Sequence, residues 1–449
     1  MIRKSTLLFI LLFSILLPTK SIAQWSTASL SSGRSKLAAA SYGNRAIFAG
    51  GIGLTTILQS GAESYNATTG VWSNTSISQG RTFLSAAGAN NKIAFAGGSD
   101  DWILSVFTKV DIYNVLTSTW TTSNLSIARD HMAAAGAGTK ILFAGGMFSG
   151  AGQIFNKVDI LETTVNTWTA SALSVPRYNL CGAAAGNKVV FAGGQDINGA
   201  FLNAVDIYDI TTGLWVTSTL SIPRAKLTAS AHGDKIYFAG GEISNGVVTN
   251  RIDIYDVVLG TWTIDSLSLS RSNLCSATVG DFVLFAAGNN GPVTASYKRV
   301  DILNTLTNTW SIDSLTTART FTAATSVGNK FMIGGGLTTL NGAPLNSIEI
   351  YTVTSTGLHQ EINNISAFTL MPNPAHNNVT ISLHTIPDNG IVELYNLLGE
   401  KVQETIVENV IDRDAENTTT LKLENLTKGI YLVKLNSKGS IYTQKLMVD

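Results

Sequence analysis

Residues 191–215 read FAGGQDINGAFLNAVDIYDITTGLW. An apolar, strand-like run ends in two glycines and gives way to a polar loop. VDIYD then reads as another strand, TTG turns the chain, and a tryptophan comes next. Almost the same words return at 238–262 as FAGGEISNGVVTNRIDIYDVVLGTW. Self-similarity at a fixed period marks a repeat architecture, so the rest of the chain is read in that register first.

Four markers keep the period. Trp25, Trp72, Trp120, Trp168, Trp215, Trp262 and Trp310 step by 47 or 48 residues. So do Arg34, Arg81, Arg129, Arg177, Arg224, Arg271 and Arg319, and an acid at Glu63, Asp111, Asp159, Asp206, Asp253, Asp301 and Glu349. A glycine pair keeps step at 50–51, 97–98, 145–146, 193–194, 240–241 and 335–336, with Ala287 and Gly288 in the sixth copy. Trp to Arg is always 9 residues and Arg to the first glycine always 16, so length varies only between the glycines and the acid.

Each unit reads as four short strands: a small-residue run after the Arg (LAAAS, MAAAG, LTASA), a KIYFAGG-like run, a VDIYD-like run and the Trp strand. Four antiparallel strands at this period predict an all-β, seven-bladed propeller. Inner strands crowd the axis and need small side chains, whereas outer strands have room for Trp. The paired glycines supply torsions that other residues resist and let another backbone come close. The seventh unit lacks its Trp strand and one Trp strand is spare at 24–29, so the N-terminal strand is expected to close the ring.

Thirty Lys+Arg balance thirty Asp+Glu, which argues against nucleic acid or an acidic membrane as the main partner. At the N-terminus, Arg3 and Lys4 precede an apolar stretch at 7–17, and Ser21, Ile22 and Ala23 form a small-residue cleavage site. That is a signal peptide over 1–23, and no other segment is long and apolar enough to cross a membrane as a helix. Cys181 and Cys275 occupy one register two blades apart, beyond disulfide reach, and are expected as buried free thiols.

The repeat resembles the kelch repeat: strand, Gly-Gly, a Tyr-containing strand, Trp, then Arg. The resemblance covers 24–354; Ala287 departs from the glycine position, and Leu161 and Leu303 from the Tyr position. A polar linker, STGLHQEINNIS, occupies 355–366. Residues 367–449 then carry MPNPAHNNVTISL, VELYNLLGEKV, LENLTKGIYLVKL and YTQKLMVD, alternating runs that predict a small β-sandwich. Together these motifs resemble the type A C-terminal sorting domain of the type IX secretion system. That resemblance implies export through the type IX machinery, removal of the tail, and a protein released or attached to the cell surface.

Strand alternation places the links before the Arg and the loops after the glycines on one face, where length varies and function is expected. Two residues after each Arg stand Lys36, Phe83, His131, Asn179, Lys226, Asn273 and Phe321. Their register is fixed while the residue changes, so they are expected to ring the channel mouth and read a ligand; alternatively they are solvent-facing residues at the start of a strand. Trp102 and Tyr297 add loop aromatics that could stack on a sugar or a protein, while Phe148 and Phe201 read as local cover. The recurring Arg residues read as structural partners of the recurring acids. No nucleophile elbow, phosphate loop or zinc motif occurs, and no cofactor is expected. The expected function is a binding module for a glycan or an extracellular protein. The alternative is a carbohydrate-active enzyme on the same face, using His131, Lys36 and Lys226, for which kelch-type oxidases and mutarotases are fold-level precedents.

Overall fold

The computed structural model describes residues 24–54, 57–100, 105–292, 294–339, 342–353, 368–383, 390–396, 400–407, 418–424, 426–437 and 440–449. The expected leader (1–23), the linker (355–366) and Trp102 lie outside the described residues. The chain divides into two compact units, one through Thr354 and one from Ser355.

Among the described residues, the first unit contains seven four-stranded antiparallel sheets. Sheet four holds residues 191–215 and runs Cys181–Ala185, Lys188–Ala192, Ala204–Asp209 and Trp215–Thr219 in spatial order. The innermost strands, such as Ala133–Ala137 and Cys181–Ala185, are rich in Ala and Gly, and each packs beside the next around a closed cycle. The second strands carry the core: Phe48, Phe95, Phe143, Phe191 and Phe238 are fully buried.

The cycle closes through the chain's first strand. Gln24–Ser29 pairs antiparallel with Ser347–Thr352, placing Trp25 opposite Tyr351, and the two rings meet edge-on at 5.2 Å. The Trp25 indole Nε1 donates to Asp313 Oδ2 on the preceding sheet at 2.8 Å. Trp120, Trp168, Trp215, Trp262 and Trp310 likewise donate to Thr75, Ser123, Ser171, Ser218 and Asp265. These six Trp residues, all the outer ones but Trp72, pack a half-buried ring on their own sheet and spend their one polar atom on the neighbour.

The glycine pairs stitch sheet to sheet. The N–H of Gly51 donates to the carbonyl of Arg81 in the next sheet at 2.9 Å, and the same bond recurs from Gly98, Gly146, Gly194, Gly241 and Gly288. Gly336 returns to Arg34 at 2.9 Å and completes the cycle. In sheet four, Gly193 and Gly194 hold φ of 69° and 114°. A Cβ at Gly193 would lie 2.5 Å from the Arg224 carbonyl oxygen, and one at Gly194 2.8 Å from that of Tyr178. Both the torsion and the approach exclude a side chain.

Sheet six tolerates one exception, Ala287, at φ 63°. A left-handed Ala costs about 1–2 kcal/mol, part of which is offset because glycine leaves the unfolded chain freer. Ala287→Gly is therefore expected to raise the urea-unfolding free energy by about 0.5–1 kcal/mol. A loss of stability in that variant would contradict this reading of the pair.

Cys181 and Cys275 are free and buried. Burial pushes both thiols up to about 12, which leaves them neutral and unreactive.

The second unit pairs Phe368–Met371, Asn378–Leu383 and Thr418–Lys422 in one sheet, and Lys401–Val407, Gly390–Tyr395, Gly429–Ser437 and Ser440–Val448 in another. One core joins them, including Val379, Ile381, Leu394, Val433 and Leu446. The PNP segment clasps the end of the last strand. Asn373 Nδ2 donates to the Lys445 carbonyl at 2.7 Å, and Asn373 Oδ1 accepts the Met447 N–H at 2.9 Å. The Ala375 N–H donates to the Met447 carbonyl, and the Asp449 N–H to the Ala375 carbonyl. Among the described residues, no helix is long and apolar enough to cross a membrane.

Candidate functional site

The face carrying the arginines is built from a brace that recurs in every sheet. Each Arg lies fully buried against the acid of its own sheet. The distances are 2.8 Å for Arg81–Asp111, 2.7 Å for Arg129–Asp159, Arg177–Asp206 and Arg271–Asp301, and 2.6 Å for Arg224–Asp253 and Arg319–Glu349. Arg34 pairs with Glu63 in the same way. Arg177 also donates to the Phe191 carbonyl, and Asp206 accepts the backbone N–H of Ser174 from the link leading to that Arg. Burial pulls the Arg177 guanidinium below its ordinary range, and the adjacent Asp206 opposes that pull. The pair thus welds the incoming link to its sheet and holds the next few residues of the chain in a fixed frame.

Immediately after the Arg, the chain bridges to the residue after the glycine pair. The bridges are Ser35 to Ile52, Thr82 to Ser99, Asp130 to Met147, Tyr178 to Gln195, Ala225 to Glu242, Ser272 to Asn289 and Thr320 to Leu337. One residue later stand Lys36, Phe83, His131, Asn179, Lys226, Asn273 and Phe321, all at φ between 50° and 56°. Left-handed torsions are ordinary for Asn but sparsely populated by Phe, Lys and His. A backbone belt holds them there. The N–H of Lys36 donates to Phe321, Phe83 to Lys36, Asn179 to His131, Lys226 to Asn179 and Asn273 to Lys226, at 2.9–3.1 Å. Five of the seven N–H groups are thus engaged sideways, between neighbouring sheets.

All seven line one cavity of about 350 Å³, together with Leu37, Leu84, Leu227 and Leu274 behind them. Its two sides differ. Phe321, Lys36, Phe83 and His131 come from four consecutive sheets around the ring and form an aromatic arc. Phe83 and His131 stack at 4.0 Å, and the Lys36 ammonium sits 5.0 Å from the Phe83 ring centre. His131 Nδ1 lies 3.1 Å from Asp130 Oδ1. Asn179, Lys226 and Asn273 form the opposing polar arc.

Beneath this tier lies a second one that the sequence pattern did not single out. Asn179 Nδ2 donates to Gln195 Oε1 at 3.2 Å, and Lys226 Nζ to Glu242 Oε2 at 2.9 Å. The signal was available: the residue after each glycine pair is Ile52, Ser99, Met147, Gln195, Glu242, Asn289 or Leu337, apolar in three copies, neutral polar in three and acidic in one.

The remaining expected residues lie elsewhere. The cavity lining does not include Tyr297, which begins the strand Tyr297–Asn304 and pairs with Arg319. Phe148 belongs to a two-residue strand paired with Gln153, and Phe201 bridges Gln195. Among the described residues, no group of three or more His, Cys, Asp or Glu is gathered to hold a metal ion.

Comparison with known proteins bears on both units. Residues 130–336 match the family model of the KLHDC2/KLHL20/DRC7 Kelch-repeats domain, and residues 369–449 match that of the Secretion system C-terminal sorting domain. No curated protein matches the chain. Among solved structures, that of YjhT is similar at 16% identity and a TM-score of 0.51, covering 62% of this chain and 96% of that one. The likeness is one of fold.

Proposed function

We propose that this protein binds a glycan seated in the axial cavity. The chain carries a kelch-repeat propeller and a type IX secretion sorting domain, and is thereby a secreted or surface-attached interaction module. One observation supports the glycan above other ligands: seven side chains, held in left-handed torsions, converge on a single cavity with aromatic rings and an ammonium on one side and amides with a second ammonium on the other. Its volume of about 350 Å³ lies in the range of small-molecule sites. Sugar rings offer both complements, C–H faces for aromatic rings and hydroxyls for amides.

The full chain applied to a glycan array is expected to bind a defined saccharide subset. Phe83→Ala should weaken that binding about tenfold, as loss of one aromatic contact does, with an unchanged melting temperature. Binding to no saccharide, but to an extracellular protein through the same residues, would replace the glycan with a protein partner.

A second reading, a carbohydrate-active enzyme, draws on His131, an imidazole placed in the cavity with its Nδ1 3.1 Å from Asp130 Oδ1, since a positioned imidazole transfers protons. Conversion of a bound saccharide that is lost in His131→Gln while binding persists would favour it.

A further inference from the structure

We infer that Glu242 sets the charge selectivity of the cavity, so that its polar arc takes the hydroxyl edge of an uncharged saccharide and rejects a carboxylate. This rests on the glycan reading above.

Each residue of the polar arc presents a defined group to the axis. Asn179 turns its Nδ2 away to Gln195, and Asn273 turns its Nδ2 toward Ser272 Oγ at 3.4 Å. Each amide keeps its oxygen as an acceptor and, with one N–H so engaged, its second N–H as a donor. Between them, Lys226 presents an ammonium. Around the arc an ammonium donor stands between two amides that each also offer an acceptor. Neighbouring hydroxyls match that order, because an O–H both donates and accepts. A carboxylate uses the arc less fully, because it only accepts and leaves both amide oxygens without a donor.

The ammonium alone could still draw an anion in. Glu242 answers it: its carboxylate is 2.9 Å from Lys226 Nζ, with the Lys side chain 31% exposed and the Glu side chain 3%. The cation head is turned to the cavity and its counterion is buried behind it. Ser272 Oγ lies 3.3 Å from the other Glu242 oxygen and 3.1 Å from Asn289 Oδ1, and Asn289 Nδ2 donates to Thr320 at 2.7 Å. A buried hydroxyl from the next sheet thus lies against the carboxylate on the side away from Lys226. Lys36 lies on the other arc, with its ammonium 5.0 Å from the Phe83 ring centre.

The test is calorimetric titration of the full chain with pairs of probes that differ only in charge: glucuronic and galacturonic acid against their methyl esters. The native chain is expected to favour the ester. Glu242→Gln, which keeps the shape and removes the charge, should move the acid-to-ester affinity ratio about tenfold toward the acid, as one uncompensated charge near a surface does. Lys226→Gln should move the ratio about tenfold the other way, because Glu242 is then unpaired; this variant decides the matter if Glu242→Gln does not fold. A native preference for the acid, or an unchanged ratio in either variant, overturns the inference and leaves the glycan reading standing. Failure of the native chain to bind any methyl hexoside, uronate or ester overturns the glycan reading and the inference with it.

Discussion

A chain lacking residues 24–30 melts at least about 10 °C below the intact chain. The removed segment is the outer strand of the last sheet, six residues paired from Gln24 to Ser29 against Ser347–Thr352. It takes with it Leu30, which is 2% exposed and whose burial stabilises by about 2 kcal/mol. It also removes the Trp25–Tyr351 contact, an aromatic pair of about 1 kcal/mol, and a ladder whose hydrogen bonds contribute about 1 kcal/mol each. The gross loss is about 5 kcal/mol or more. It falls at the one place where the two ends of the ring meet, and it bares the edge of Ser347–Thr352 to pairing with other chains. Scanning calorimetry of the two chains checks this, and coincident melting curves would mean that the ring does not depend on this strand.

Asp206→Ala costs about 3–5 kcal/mol, because Arg177 remains fully buried with its counterion gone. The Ser174 N–H loses its acceptor at the same time. Arg177→Ala costs a similar amount, about 3–5 kcal/mol, by stranding Asp206 instead. A pair of the same charge type in a wetter setting supplies the contrast. Lys188 and Asp209 approach to 2.5 Å in the same sheet, but their side chains are 26% and 15% exposed. A pair open to solvent contributes about 0–1 kcal/mol, so Lys188→Ala is expected to be nearly silent. Urea unfolding of the three variants separates the cases. Equal, small losses in all three would show that the buried brace does not hold the link.

The sheets were legible in the sequence because the fold makes the same demand in every copy. A Trp must seal the outer edge, an Arg and an acid must brace the link, and two residues must turn left-handed under a neighbouring carbonyl. Spacings of 9 and 16 residues therefore persist through divergence elsewhere. The channel-mouth residues were legible for the opposite reason, as the position that changed inside a fixed frame. Their left-handed torsion was not legible, since Phe83, Lys36 and His131 are residue types that carry no sign of it. The second tier was missed because the residue after a glycine pair reads as the start of a loop. Only the bridge to the residue after the Arg brings Glu242 and Gln195 beneath Lys226 and Asn179. In the second unit, the pairing of PNP with a distant KLMVD has a structural cause, since Asn373 and Ala375 bond directly to residues 445–449.

The most direct test of the central claim is a crystal structure of the full chain soaked with the saccharide it binds best. The account predicts one sugar ring on the axis, its C–H face against Phe83 and its hydroxyls within hydrogen-bond distance of Asn179, Lys226 and Asn273. A sugar bound on the outer strands or on the turns of the opposite face, with the axial cavity empty, would contradict it.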